Sequence, residues 1–127
     1  MVFTVFLANT IHAQEGTVMI ACKRLSSAPV DGISIFMDGR LICDLNDNSF
    51  GEYAVHVGKH TFIARWNGGA KENILNESIQ IDVTHKTEFY LRVYLKDLNQ
   101  KSILLLEEVS GNAWPKLMTD LNKIDCL

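Results

Sequence analysis

Period-two alternation of apolar and polar residues dominates the chain from Thr17 onward, the pattern of strands with one buried face. Val18, Ile20 and Cys22 share one parity. Ile33, Ile35 and Met37 alternate with Ser34 and Phe36, and Asp38-Gly39 follows directly. A two-residue type I′ turn needs positive φ at both central positions, which Asp-Gly supplies, so a hairpin is predicted here. Its return strand, Arg40 to Leu45, places Leu41, Cys43 and Leu45 on one side. Asn46-Asp47-Asn48 turns the chain into a strand over Phe50 to Val57, with Tyr53, Val55 and Val57 on one face. Gly58-Lys59 reads as a second hairpin turn, and His60 to Trp66 returns with Phe62, Ala64 and Trp66 in register.

The polar stretch Asn67 to Ser78 contains Gly68-Gly69 and reads as the longest loop. Ile79, Ile81 and Val83 form the next strand, and Thr84-His85-Lys86 a short turn. Along Thr87 to Leu95, Phe89, Leu91, Val93 and Leu95 alternate with Tyr90, Arg92 and Tyr94. Both faces are bulky, which predicts a central strand covered on both sides. Ser102 to Val109 is a further buried strand ending in Glu107-Glu108. Helical spacing comes only afterwards. Pro115 sits in the first turn of a helix beginning at Asn112 or Ala113, and Leu117, Met118 and Leu121 recur on one face. Seven to eight short strands with a short C-terminal helix predict an all-β fold, an antiparallel two-sheet sandwich.

A length of 127 residues fits one domain, and 47% apolar content excludes a disordered chain. The net charge of −3, with no basic block, argues against a nucleic-acid partner. No apolar run has the length of a transmembrane span. Met1 to Ala8 is nevertheless apolar and uncharged. Residues 1–14 read as a secretory signal clipped of its basic start, with Ala13 the last residue removed, and residues 15–127 as a single β-sandwich domain. The competing reading is a first strand, since Val2 to Phe6 are good strand formers. Met19-Ile20-Ala21-Cys22 is loosely like the box cut in a bacterial lipoprotein, but Gln14-Glu15-Gly16 breaks the apolar run such a box requires. Cys22 more naturally ends a strand.

Cys22, Cys43 and Cys126 make an odd set with no Cys-x-x-Cys spacing, which fits neither a zinc finger nor a disulfide-dense scaffold. In an exported protein Cys22 and Cys43 could pair and leave Cys126 free. In a cytosolic one both are small buried hydrophobes. The sequence leaves the two open.

Candidate chemistry is sparse. His56 and His60 flank a predicted turn, where opposed Cβ atoms lie about 5 Å apart, and His85 could add a third nitrogen. A zinc or copper site needs further ligands of fixed geometry that no pattern supplies, so neither a metal nor a cofactor is expected. Glu107 and Glu108 are adjacent on a strand and point to opposite faces, so they cannot act as a carboxylate pair. Ser49, Ser78 and Ser110 lack a nucleophile elbow. No catalytic residue is assigned, and the expectation is a protein that is not an enzyme. A ligand surface has one candidate set. Trp66 could stack on a sugar ring with Asn67 and Asn73 supplying hydrogen bonds and Tyr53 on the neighbouring strand. Against this, Trp66 shares parity with Phe62 and Ala64, so it also reads as the last core residue of its strand. Trp114, beside Pro115, is expected to pack the terminal helix onto the sandwich. Asn76-Glu77-Ser78 is a glycosylation sequon, meaningful only in a eukaryotic secretory pathway.

Three segments together resemble a bacterial family of small exported, often lipoprotein-like β-sandwich domains of unknown function, akin to PEGA-type domains. They are Ile33 to Leu45 with its Asp-Gly turn, Gly51 to Ile63 with Gly58-Lys59-His60, and the aromatic strand Lys86 to Val93 after a lysine turn. The resemblance runs over Glu15 to Leu121, and Val57 stands where that family often has proline before the glycine. It implies an accessory or binding domain of the cell envelope, periplasmic or envelope-associated, that binds a protein or envelope component. It transfers no catalytic residue. The contact surface expected on this reading is the sheet edges and the Asn67–Ser78 loop.

Overall fold

A computed structural model describes residues 15–23, 32–66, 74–98 and 101–127. Among them are ten strands and one helix: β1 (Glu15–Cys22), β2 (Ile33–Met37), β3 (Arg40–Leu45), β4 (Ser49–His56), β5 (Gly58–Trp66), β6 (Ile74–Glu77), β7 (Ile79–Val83), β8 (Glu88–Leu98), β9 (Lys101–Val109), α1 (Trp114–Met118) and β10 (Asn122–Lys123). The fold is all-β with one short helix, arranged as a six-stranded sheet, β10-β4-β1-β8-β9-β6, and a four-stranded sheet, β3-β2-β5-β7. One core lies between them. Val18, Ile20, Leu91, Val93, Leu104 and Leu106 reach it from the larger sheet, and Ile33, Ile35, Phe62 and Ala64 from the smaller. The predicted signal segment, residues 1–14, lies outside the described residues. No helix among the described residues is long and apolar enough to cross a membrane.

The larger sheet corrects the wholly antiparallel expectation. β1 runs antiparallel to β4 but parallel to β8, β6 runs parallel to β9, and β10 runs parallel to β4. Period-two alternation is the same in both ladders, so the sequence pattern carries no sign of strand direction. The chain also changes sheets repeatedly. β4 lies in the larger sheet and β5 in the smaller, so Gly58-Lys59 is not a hairpin turn but a corner between layers. Gly58 takes φ +132° there, which a residue with a Cβ resists, and Val57 is turned out to solvent instead of into the core. The predicted loop Asn67–Ser78 is likewise shorter, because Ile74–Glu77 forms β6 along β9 before Ser78 leads into β7.

The Asp38-Gly39 hairpin forms as expected, with φ of 51° and 83° and Met37 opposite Arg40. Beyond it, the register shifts between Ile35 and Phe36, so that Phe36 faces Leu41 while Ile35 faces Cys43. Ile42 is the extra residue, and the bulge puts both Ile42 and Cys43 in the core while Leu41 stays at its margin. Leu41, Cys43 and Leu45 therefore do not share one face. Ser34, also buried, donates its hydroxyl hydrogen bond across the strand pair to Asp44 Oδ1 at 2.7 Å.

Gly16 lies where the β7–β8 corner crosses β1. A Cβ there would stand 2.7 Å from Val83 Cγ1 and 2.8 Å from the Thr84 carbonyl oxygen. The corner is tied to β1 by Thr17 N–H donating to Thr87 O and Lys86 N–H donating to Glu15 O, both at 3.0 Å.

The disulfide joins Cys43 to Cys126, not Cys43 to Cys22, with Cα atoms 4.4 Å apart across a sequence separation of 83 residues. Cys22 is free and buried. Desolvation, helped by the negative charge of Asp47, pushes its thiol up to about 12, so it stays protonated and inert.

Candidate interaction surface

The outward face of the larger sheet is where structure and exposure combine. Residues pairing across a ladder share a face, so Thr17, Met19 and Ala21 of β1 stand beside Phe50 and Ala54 of β4 and Tyr90, Arg92 and Tyr94 of β8. The helix α1 covers one half. Pro115 occupies its first turn, where its missing N–H costs nothing, and Ser110 Oγ accepts from Ala113 N–H at 3.2 Å. Trp114 is 4% exposed and stacks on Tyr90 with ring centroids 5.1 Å apart, while Phe50 meets it edge-on at 6.2 Å. Ala21, Met19, Leu117, Met118 and Leu121 complete this second cluster. Trp114 thus packs the helix onto the sheet, as its position beside Pro115 predicted. Its Nε1 is buried with no hydrogen-bond partner among the described residues.

Past the helix the cover ends. Arg92 pairs with Glu107 through Nη2 at 2.7 Å and Nε at 2.9 Å, and its guanidinium lies 4.9 Å from the Tyr94 ring centroid. A groove of about 290 Å³ separates this pair from Leu117 of α1 and from Ala113 just before the helix. Beyond it the register sets Tyr94 beside Leu105, and Lys96 beside Ile103, which in turn faces Leu75 of the edge strand β6. Leu75 is 53% exposed and Tyr94 38%, while Ile103 and Leu105 are half-buried. β8 is therefore central but covered on its outer face only near Tyr90, which corrects the expectation of cover on both sides.

The remaining candidates fall elsewhere. Trp66 sits on β5 opposite Ile33 and packs against the common core. Tyr53 packs against the same core from β4, in the other sheet and opposite Val18. The two are not on paired strands, because β4 and β5 belong to different sheets. Asn67 and Asn73 lie outside the described residues. Glu107 is committed to Arg92, and Glu108 next to it is exposed.

His56 and His60 do not oppose each other across a ladder. His60 Nε2 donates to the His56 carbonyl oxygen at 2.8 Å, and its Nδ1 lies 2.6 Å from Asp38 Oδ2. Asp38 Oδ1 accepts from Thr61 N–H at 2.9 Å, and that bond, followed by His60, holds the Asp38 carboxyl below the usual carboxylate range. An ionised carboxylate and a carbonyl only accept, so both ring nitrogens are engaged by acceptors. Neither nitrogen is left for a metal or for base catalysis. His85 is exposed on the β7–β8 turn, and no cluster of three His, Cys, Asp or Glu suited to a metal occurs among the described residues.

The Asp38–His60 pair gives one measurable expectation. A carboxyl held low in the folded state contributes fully above its unfolded range, near about 3.9, and loses that contribution as pH falls through the folded value. Asp38→Asn keeps a residue that tolerates the left-handed turn. It should cost under about 1 kcal/mol at pH 7 and flatten the loss of stability below pH ~4, read from urea midpoints across pH. An unchanged acid slope would count against the pairing. Comparison with protein-family models, curated proteins and solved structures finds no match to this chain.

Proposed function

We propose that this chain is a non-enzymatic module of the bacterial cell envelope, exported and then bound to a protein partner through edge strand β6 and the adjoining outer face of the larger sheet. The observation that carries this reading is the exposure of Leu75 on an edge strand, continuous with Tyr94, Leu105 and Ile103. Edge strands present unpaired backbone groups to a partner strand, and apolar side chains beside them add contact area. Export is supported by the Cys43–Cys126 bond, since such bonds persist in oxidising compartments. It is supported also by the apolar run Met1 to Ala8 and by the resemblance of residues 33–45, 51–63 and 86–93 to exported domains.

A photoreactive amino acid at position 75 tests the reading in the source cell, with position 82 on the exposed side of β7 as the control. The expected result is a single envelope protein cross-linked from position 75 and not from position 82. Leu75→Asp should abolish its co-purification while shifting stability by no more than about 0.5 kcal/mol. Equal cross-linking from both positions, or a native intact mass that retains residues 1–14 in a cytosolic fraction, would overturn the proposal.

A further inference from the structure

The C-terminal segment after α1 crosses the side of the molecule where β4, an outer strand of the larger sheet, and β3, an edge of the smaller, lie next to each other. Asn122 N–H donates to Asn48 O at 2.8 Å, Ile124 N–H to Phe50 O at 2.9 Å, and Leu127 N–H to Ile42 O at 2.8 Å. The first two acceptors flank and open β4, and the third belongs to β3, so six residues span both layers. Little apolar burial holds them. Asn122, Lys123, Asp125 and Leu127 are exposed, and only Ile124 and Cys126 pack against the core. The Lys123–Glu52 pair at 2.6 Å is exposed on both sides and so adds little. Beyond those three backbone bonds and Ile124, the segment is held by the bond from Cys126 to Cys43. The chain is shaped to admit it, because Gly51 lies beneath. A Cβ there would come 2.5 Å from Cys126 Sγ and 2.9 Å from Cys43 Sγ.

We propose that residues 122–127 are a redox-locked strap, and that opening Cys43–Cys126 by a dithiol frees the strap and uncovers the β4 and β3 edges for an extended peptide strand. This stands apart from the docking surface on β6, at the opposite end of the sheet. A thiolate of the dithiol attacks Sγ of Cys126, the half-buried residue of the pair, and Cys43 leaves as a thiolate and takes a proton. The second thiol of the reagent, as its thiolate, then displaces Cys126. The protein disulfide gains two electrons and two protons, and the dithiol becomes a disulfide. Cys22, buried in β1, does not enter the exchange. Once freed, the strap gives up its bonds to Phe50 O and Ile42 O, and an incoming strand can donate to them instead.

Hydrogen–deuterium exchange on the full chain, air-oxidised and then in dithiothreitol, tests this. Alkylation and mass of separate aliquots follow the thiols. The oxidised protein should show one intact disulfide, and the reduced native protein two alkylated cysteines. On reduction the amides of Asn122, Ile124 and Leu127 should exchange at least about tenfold faster, with β1 and β8 unchanged. Cys126→Ser should show the same fast exchange without reductant. Unchanged protection of these amides after reduction would overturn the strap. So would simultaneous loss of protection in β1 and β8, which would make the bond a staple of the whole fold, and so would the absence of the disulfide from the air-oxidised protein.

Discussion

Replacing Phe62 with Ala should lower the unfolding free energy by about 3–5 kcal/mol, the cost of a lost aromatic side chain together with the cavity it leaves. Phe62 is fully buried on β5, facing Met37 of β2 on one side and Ile79 of β7 on the other. It stands in the middle of the smaller sheet, with strands on both sides to resist collapse into the void. Domains of this size hold only about 5–15 kcal/mol in total, so the variant should be partly unfolded at 37 °C. Urea denaturation measures it. Phe62→Leu, which keeps most of the volume, should lose no more than about 1.5 kcal/mol. A Phe62→Ala midpoint within error of wild type would mean that the two sheets do not close over this residue.

Gly16→Ala should be nearly as damaging, for an opposite reason: it adds an atom where there is no room. The new methyl would meet the Val83 side chain at 2.7 Å and the backbone oxygens of Thr84 and Thr87 at 2.8 and 3.0 Å. Val83 cannot swing away, because it is itself fully buried. The β7–β8 corner would have to lift from β1, which breaks the Thr17–Thr87 and Lys86–Glu15 bonds. Overpacking and two weakened hydrogen bonds together cost about 2–4 kcal/mol. At about 4 °C per kcal/mol that lowers Tm by roughly 8–16 °C. A melting temperature within about 2 °C of wild type would show that the corner stands farther from β1 than these contacts require.

Local chemistry was readable in the chain, and long-range placement was not. Asp38-Gly39 specifies its own turn, because positive φ at two successive positions is a property of those two residues. Pro115 marks the first turn of α1 for the same kind of reason, and the alternation of Ile33, Ile35 and Met37 fixes which side of β2 is inward. Nothing comparable distinguishes a hairpin at Gly58-Lys59 from a corner between sheets, since a glycine turn serves both. Nor does alternation tell that β1 lies between β4 and β8, or that one neighbour is parallel. The bulge at Ile42 escapes a period-two reading because it is a break in the period. Cys43 could have been matched with Cys126 only by knowing that the chain after α1 returns past β4. The contact surface proposed above is legible only in part. Residues 74–77 read as polar loop in the sequence, yet they form the strand β6, with Leu75 exposed on it.

The order of strands in the larger sheet also sets a timetable for synthesis. β1 is among the first described elements made, yet its neighbour β8 follows more than sixty residues later, and β10 comes last of all. Until β8 emerges, β1 and β4 present an unfinished sheet with an apolar face and an open edge. Pairings of such sequence separation are slow to find, on the scale of milliseconds to seconds for all-β folds, and unfinished edges are sticky while they wait. A ribosome-bound chain halted before β8 should therefore be markedly more prone to aggregation than one extended through β9. The arrival of that single hairpin should end the excess.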